Sequence, residues 1–586
     1  MISLVLLCCI ILFMFVSMIN EWLEPAVAIF LALSLLTIFG IISPIEALSG
    51  FSNTGVHTVA LLLILGTAIH YNGVFDHYSE KLLGSVKNIP IVLTRMMLPV
   101  LFFSAFMNNT PVVSMLTPIV RKWGINRGIS PSKLLIPLSY AAILGGTITL
   151  IGTSTNLIVN GLLLKKGLNG FYLFEFSLIG IPLSLIGLLY FITIGHHLLP
   201  NRKIMTQMIQ QNSHDYLFEF KVLKKSPLIG KTVLEANLRK LNNLFLVKII
   251  RHDQSIVPVG HHESIQANDR LIFSGSANKI VSIQSIPGME LITDEENITN
   301  FQQNNEVIEV IISHNSPLIG KKIKDSQFRS KYHAAIIAIR RNNENITSGI
   351  GGITLKTGDT LLLLTGPDFI KSWSNSEDFY LISPVEDQLF RKKKQRLVFF
   401  ILLVFLLIVS LNIFPILKAA MLSVLMLFLT KSITVHEAYK SMNWSVIIIM
   451  GASIGVGTAI EKTGLSIILA DFIVELAIPF GLAATVILFY MTTTLLTELI
   501  QNIAAAAIMF PIGYDIALQI NQDPKLFAIV TAIAASCSFI TPTGYQTNLL
   551  VFSPGSYRFS DYVKVGLPLS IITMLLTTFI VLVLYS

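Results

Sequence analysis

The chain has 586 residues, 53% of them hydrophobic and only 13% charged, where a soluble domain carries about a quarter. Its formal net charge of +8 is a sum over loops, which bears on topology and excludes a nucleic-acid reading. Charges are rare over 1–199 and 397–586, where apolar runs of 15–25 residues recur, and ordinary over 200–396. The chain therefore reads as a polytopic α-helical membrane protein with a soluble insert, embedded in the plasma or inner-membrane bilayer.

The opening segment, MISLVLLCCIILFMFVSMI, lacks a basic leader and a small-residue cleavage site and is read as a retained helix. Cys8, Cys9 and Cys537 lie in or beside apolar runs without metal-ligand spacing, and read as small buried hydrophobes. Membrane segments are expected near 2–19, 24–43, 56–73, 131–164 and 172–198, and again near 397–416, 418–431, 444–460, 522–552 and 562–585. Each half also holds a longer apolar stretch with a polar break: 90–122, cut by NNTP, and 481–519, cut by TELIQN. Hydrocarbon offers backbone no hydrogen-bond partner, so a break at that depth survives only inside protein or beside a wet cavity. Each stretch is expected to be a re-entrant helical hairpin, with Pro111 in the first turn of the second limb.

The halves echo one another in order. LLLILGTAI (61–69) resembles SVIIIMGASI (445–454). Asn109 corresponds to Asn502, each followed nine residues later by a proline, and ILGGTITLIGTSTNLIVNG (143–161) corresponds to AASCSFITPTGYQTNLLVF (534–552). Three echoes at offsets of 385 to 393 indicate a repeat, and five spans per copy require the second copy to insert inverted. The positive-inside rule agrees. Lys81, Lys87, Arg95, Arg121, Lys122, Arg127, Lys133, Arg202, Lys203 and RKKKQR (391–396) fall on one side if both termini face outward and 200–396 is cytosolic. Lys165 and Lys166 dissent. Matched broken segments in an inverted repeat mark a secondary transporter.

Each hairpin tip is expected to meet an unwound part of a following helix, GGTITLIGTSTN (145–156) or TPTGYQTN (541–548). Helix N-termini suit an anion, and carbonyl, Asn, Ser and Thr oxygens suit a small hard cation such as sodium. The tips carry neither arginine nor lysine, so a divalent anion must be compensated by dipoles and co-bound cations. Helix-to-helix polar glue is the plainer account of any one such residue, but two matched clusters at matched breaks favour a binding site.

These residues resemble the divalent anion–sodium symporter family of the ion-transporter superfamily, whose signature is a Ser-Asn-Thr triplet at each of two tips followed by a Thr-Pro/Ser-x-Asn type loop. The matching triplets here are Asn108-Asn109-Thr110 and Gln501-Asn502-Ile503, and the loops are Thr153–Asn156 and Thr543–Asn548. The resemblance implies substrate contacts from Asn108, Asn109, Thr110, Gln501, Asn502, Thr155, Asn156, Thr547 and Asn548, with sodium near Asn109, Gly152, Asn156, Asn502, Thr543 and Asn548. Both leading serines are replaced and Ile503 removes a hydroxyl, which disfavours a dicarboxylate and favours an inorganic oxyanion. Members with a large cytosolic insert resemble sulfate carriers. The expectation is thus sodium-coupled sulfate uptake by a homodimer, with sodium as coupling ion and no other cofactor.

The domain plan is repeat 1 (1–199), a linker (200–217), an insert domain (218–286), a linker (287–305), a second insert domain (306–374), a basic linker (375–396) and repeat 2 (397–586). SPLIGK recurs at 226–231 and 316–321, and LFLVKIIR (244–251) and NDRLIFSG (268–275) match AAIIAIRR (334–341) and GDTLLLLTG (358–366). Each copy reads as a small α+β module with a helix after the Gly-Lys. It resembles the C-terminal ligand-binding domain of TrkA-type potassium-uptake regulators, implying either a sensor for a small-molecule ligand or a packing and dimerisation module. GIGG (349–352) reads as a loop and HHE (261–263) as surface; the sequons at Asn297 and Asn345 are cytosolic coincidences. The competing readings are a sodium/proton-type antiporter using Glu498, a dicarboxylate or bicarbonate carrier, and a channel or transport-like sensor. No acid/base pair, metal triad or nucleophile set supports an enzyme.

Overall fold

The computed structural model describes residues 2–20, 22–72, 88–202 and 394–585, and parts of 217–381 between them. Lys81, Lys87, Lys203, His261, Asn297, Gly349 and residues 391–393 lie outside the described residues.

The first half runs α1 (Ile2–Ile19), α2 (Pro25–Ile38), a short α3 (Pro44–Leu48) and α4 (Thr54–Tyr71), then the limbs α5 (Ile89–Ser104) and α6 (Asn109–Arg127). It continues with α7 (Leu135–Gly146), α8 (Ser154–Lys165) and α9 (Ser177–Tyr190), which passes through one π turn, Phe191–Gly195, to Leu198. The first hairpin thus ends five residues beyond 122, where Gly128 at φ 72° supplies the left-handed cap that a Cβ would oppose. On α1, Leu7, Ile10 and Met14 pack inward while Val5, Leu12 and Phe13 are exposed. Cys8 and Cys9 share that outer surface, so of the three cysteines only Cys537 is buried.

In the insert, β1 (Leu217–Val222), β2 (Leu244–Arg251), β3 (Gln254–Ile256), β4 (Arg270–Gly275) and β5 (Met289–Ile292) form an antiparallel sheet of order β3-β2-β4-β1-β5. The second sheet repeats that order with β6 (Val307–Ile312), β7 (Ala334–Arg341), β8 (Glu344–Ile346), β9 (Thr360–Thr365) and β10 (Phe379–Leu381). Even the irregularities agree, at Leu246/Lys248 and Ile336/Ala338. The fifth strand of each sheet lies beyond 286 and 374, in stretches expected to be linker. The expected helix after the second Gly-Lys is only the five-residue α10 (Phe328–Tyr332); its first-copy counterpart falls partly outside the described residues.

The second half comprises α11 (Gln395–Ser410), α12 (Ile416–Leu429), a short α13 (Val435–Ser441), α14 (Trp444–Lys462), α15 (Leu465–Ala477), limbs α16 (Leu482–Leu499) and α17 (Asn502–Gln519), then α18 (Pro524–Ser536), α19 (Gln546–Phe552) and α20 (Phe559–Tyr585). The apolar α15 was not anticipated, because its 13 residues are too few to register as a span. Among the described residues, six helices are long and apolar enough to cross a membrane, and six shorter apolar ones accompany them.

The halves interlock twice. α2 packs on α14 and α4 on α12; α6 packs on α19 and α17 on α8. The short helices α3 and α13 open on the same capping box, Ser43 with Glu46 and Thr434 with Glu437. Hydrogen bonds from the Ser43 backbone and from Lys462 hold the Glu46 carboxyl down to about 2. Lys165 and Lys166, which broke the charge rule, lie beside acidic groups: Lys166 pairs with Glu461, and Lys462 with Glu46. Lys165 donates instead to the hydroxyls of Ser49 and Thr458.

Gly566 shows how tightly these helices meet, since a Cβ there would sit 2.1 Å from the Phe539 carbonyl oxygen. Gly180 makes the same approach to the Thr147 carbonyl, at 2.3 Å. Backbone cannot yield as a flexible side chain can, so Gly566→Ala should destabilise the protein by about 1–3 kcal/mol. A melting curve of the detergent-solubilised variant reads this, and an unchanged midpoint would contradict the packing described.

The second insert sheet rests on the membrane half. Arg121 of α6 forms an ion pair with Glu309 of β6, both side chains under a tenth exposed. Arg340 of β7 donates to Ser556 Oγ at 2.6 Å, and Thr360 of β9 meets Ser553. Burial lowers the Arg340 guanidinium to about 10, so it remains protonated at neutral pH.

Candidate functional site

The first tip is the turn between α5 and α6. Asn108 caps α6, its Oδ1 accepting from the Thr110 backbone at 3.2 Å, and its Nδ2 donates to Ser154 Oγ at 3.2 Å. Asn109 is fully buried. Ser104 Oγ lies within hydrogen-bond reach of Asn109 Oδ1 (2.6 Å) and of the Ala142 carbonyl (2.8 Å). The second tip has the same arrangement: Thr497 Oγ1 lies 3.1 Å from Asn502 Oδ1 and 2.9 Å from the Ala535 carbonyl. Pro111 falls in the first turn of α6, as expected.

The chain unwinds between α7 and α8, and between α18 and α19. Each break is closed by an asparagine reaching back to carbonyls ten and seven residues earlier. Asn156 Nδ2 donates to Gly146 and Thr149, at 3.4 and 2.9 Å. Asn548 Nδ2 donates to Ser538 and Thr541, at 3.0 and 3.2 Å. Thr149 Oγ1 donates to the Ala105 carbonyl, and Thr541 Oγ1 lies 3.3 Å from the Glu498 carbonyl.

Two substitutions break this correspondence. Where the first half has Ala105, the second has Glu498, whose carboxylate accepts from Ile540 N (2.8 Å), Thr541 N (2.8 Å) and Thr541 Oγ1 (2.7 Å). Such a carboxylate holds the loop to the hairpin and occupies the donors that a substrate anion could otherwise use. Where the first half has Thr153, the second has Tyr545, whose hydroxyl accepts from Asn109 Nδ2 at 2.7 Å and lies 3.3 Å from Thr153 Oγ1. Next to it, Gln546 Oε1 accepts from Thr110 Oγ1 at 3.2 Å.

The residues singled out from sequence fall into two groups. Asn108, Thr110 and Gln501 are partly exposed and Thr543 is exposed. Thr155, Asn156, Thr547 and Asn548 are buried and brace the loops: Thr155 meets Ser536, and Ser139 Oγ lies 2.9 Å from Thr547 Oγ1 and 2.7 Å from Asn548 Oδ1. Among the described residues, no side-chain hydrogen bond joins Gln501 to the first tip. Sequence reading missed Ser104, Thr497, Ser139 and Ser536. A hydroxyl five residues before each tip asparagine was the available signal.

A sodium ion needs several oxygens converging at about 2.4 Å. Around the first tip the donor set fits. Asn156 Oδ1 is buried without a hydrogen-bond partner, and its Nδ2 rests on Gly146 O, against which Gly152 packs so closely that a Cβ would lie at 2.5 Å. Asn109 stands beside Gly146, where a Cβ would meet its Oδ1 at 2.7 Å. At the second tip the corresponding oxygen, Asn548 Oδ1, already accepts from Ser139. The two sets are thus alike in layout and unlike in readiness for a cation.

Comparison with known proteins places this architecture. An uncharacterized transporter of Synechocystis is 33% identical over 98% of this chain and 96% of its own length. A Chlamydomonas reinhardtii protein named as a sulfur deprivation response regulator is 34% identical, covering 96% and 98%. A sodium/sulfate cotransporter of the same alga is 24% identical, covering 97% and 88%. The matching family model is that of citrate transporters rather than the divalent anion–sodium symporters of the same superfamily, and the tip positions 108, 501 and 503 are where the chain departs from the latter. That model spans residues 10–534, nearly the whole chain, which is therefore a transporter belonging to the citrate transporter family.

Proposed function

We propose that this protein is a secondary transporter that couples sodium entry to uptake of a compact inorganic divalent anion, with sulfate favoured. The observation that carries the reading is the buried, unpartnered Asn156 Oδ1 beside Asn109, Gly146 and Gly152. It is an oxygen in want of a positive partner, at a tip that has no arginine or lysine of its own. With no arginine or lysine at the tips and three donors occupied by the Glu498 carboxylate, substrate charge falls to the remaining helix N-termini and to co-bound cations. The anion then moves with its cations, and each unit charge carried is worth about 2.3 kcal/mol per 100 mV of membrane potential. The sodium/sulfate cotransporters among its relatives support the choice of ions.

In this reading the two halves are inverted repeats that alternate access to the paired tips. Residues 200–396 are cytosolic, with two TrkA-C-like domains, and the termini lie outside. Asn108, Thr110 and Gln501 touch the anion, Asn109 and Asn502 offer their amide donors to the anion side and their oxygens to sodium, and Thr155, Asn156, Thr543, Thr547 and Asn548 with Gly152 shape the cation sites. A homodimer pairs the insert domains, whose ligand is a small molecule. The three donors on the Glu498 carboxylate count against its use as a proton carrier.

Labelled sulfate uptake into proteoliposomes tests this, with and without an inward sodium gradient. Uptake that rises severalfold with the gradient is expected. No uptake under any gradient by folded, inserted protein would sink the assignment. The seating of the second insert sheet on α6, with a relative named for sulfur deprivation, favours one other reading: a sensor that binds sulfate without moving it. Saturable sulfate binding without flux would identify that case.

A further inference from the structure

The two unwound loops can be superposed residue by residue on their bracing asparagines, and one position then stands out. Asn156 and Asn548 reach back by the same ten- and seven-residue spans. Three residues before each stand Thr153 and Tyr545. Thr153 is buried and its hydroxyl turns to Thr155, 3.1 Å away. Tyr545 is only half-buried, and it crosses from the second loop to the first tip, where its hydroxyl accepts from Asn109. An aromatic ring thus stands between tip and loop on one side, where the corresponding position on the other side carries three heavy atoms.

Gln546 leans the same way, accepting from Thr110. Second-loop side chains thereby engage both Asn109 and Thr110. Since Asn109 is the donor to the phenol oxygen, the phenol proton is left to point to Thr153 or to an anion oxygen.

We propose that Tyr545 is the size-limiting residue of the transport site. It admits an oxyanion built on a single central atom and excludes anions whose charges are separated by a carbon chain, such as di- and tricarboxylates. This rests on the anion-uptake reading above and sharpens it, because the citrate family match and the sodium/sulfate relatives point to substrates of very different length. A pocket gains or loses discrimination of this kind by volume, while a donor is lost separately from volume. Two substitutions therefore part the roles.

The experiment uses the full chain in proteoliposomes and measures labelled sulfate uptake against excess sulfate, thiosulfate, malonate, succinate and citrate. For the wild type, sulfate and thiosulfate should compete and succinate and citrate should not. Tyr545→Phe keeps the ring and drops the donor: KM for sulfate should rise about tenfold, with succinate still excluded. Tyr545→Thr restores the first-loop residue, and succinate should then inhibit at least tenfold better than in the wild type. Thermal melts verify that each variant is folded. If Tyr545→Thr does not fold, Tyr545→Leu, which also removes the ring, is read in its place with the same expectation for succinate. Wild-type sulfate uptake that succinate inhibits as well as sulfate does would overturn the Tyr545 proposal while leaving anion uptake standing. Folded Tyr545→Thr that transports sulfate and still excludes succinate would overturn it too. A wild type that takes up none of these anions refutes the function proposed above instead.

Discussion

Asn109→Ala and Asn502→Ala should each reduce sodium-driven anion uptake by about ten- to a hundredfold in protein that still folds. The size follows from what each side chain holds. Asn109 joins Ser104 of its own hairpin to Tyr545 of the opposite half, and Asn502 accepts from Thr497. Ser104 and Thr497 would keep their carbonyl partners, so the loss falls on the amide's own contacts with the transported ions; a hydrogen bond to a charged group is worth about 1.5–3 kcal/mol, or one to two decades in an equilibrium constant. Asn109→Asp separates geometry from charge. It keeps the oxygen that Ser104 meets but adds an acceptor where Asn109 donates to Tyr545, so uptake should fall while the apparent sodium affinity changes. Uptake at wild-type rates in both alanine variants would remove the tips from the mechanism.

The second large effect concerns the insert. Glu309→Ala leaves Arg121 buried beside α6 without its carboxylate, and stranding one member of a buried pair costs about 3–5 kcal/mol. The double variant Arg121→Leu with Glu309→Leu should recover most of that loss, because burying two apolar groups carries no desolvation penalty. The first insert domain provides the control. There Glu219 pairs with Arg270 of its own sheet, 15% and 30% exposed, and solvent screens such a pair to well under the buried value. Melting midpoints of Glu309→Ala, the double variant and Glu219→Ala should fall in that order of damage: large, small, small. Equal midpoints for the two single variants would show that the second sheet is not seated on α6 in solution.

That contrast was partly legible in the sequence. The ninety-residue repeat aligns Arg251 and Asp269 with Arg341 and Asp359, and both pairs form within their own sheets. The same alignment sets Glu219 and Arg270 against Glu309 and Thr360. With Thr360 in place of an arginine, Glu309 turns to Arg121 of the membrane half, while its charge is also felt by Arg340 of its own sheet. Sequence could show that position 360 had lost its arginine, but not that Glu309 would meet Arg121, since residues 121 and 309 are joined only by folding. Polar breaks inside apolar runs gave both hairpins, because hydrocarbon tolerates such breaks nowhere else. The short α15 escaped because its 13 residues, with Asp471 and Glu475 among them, are too few to register as a span. At the site, the asparagines stood out by type. Ser104 and Thr497 did not, since a lone hydroxyl in a membrane helix normally bonds its own backbone. Gln501 was grouped with the tip residues by its position beside Asn502, yet its side chain makes no hydrogen bond among the described residues.

The seat of the second insert sheet has a thermodynamic corollary. Its contacts fall on α6, which starts at the first tip, and on Ser553 and Ser556, which directly follow α19 and hence the second loop. If the insert binds a ligand as proposed, whatever free energy that ligand gains by favouring one position of the sheet would be shared with the tip, and the exchange would be symmetric. A ligand that tightened ion binding fivefold would itself be held fivefold more tightly when the ions are bound. Under the proposed topology, a titration performed entirely on the insert's face would then measure how full the tip site is.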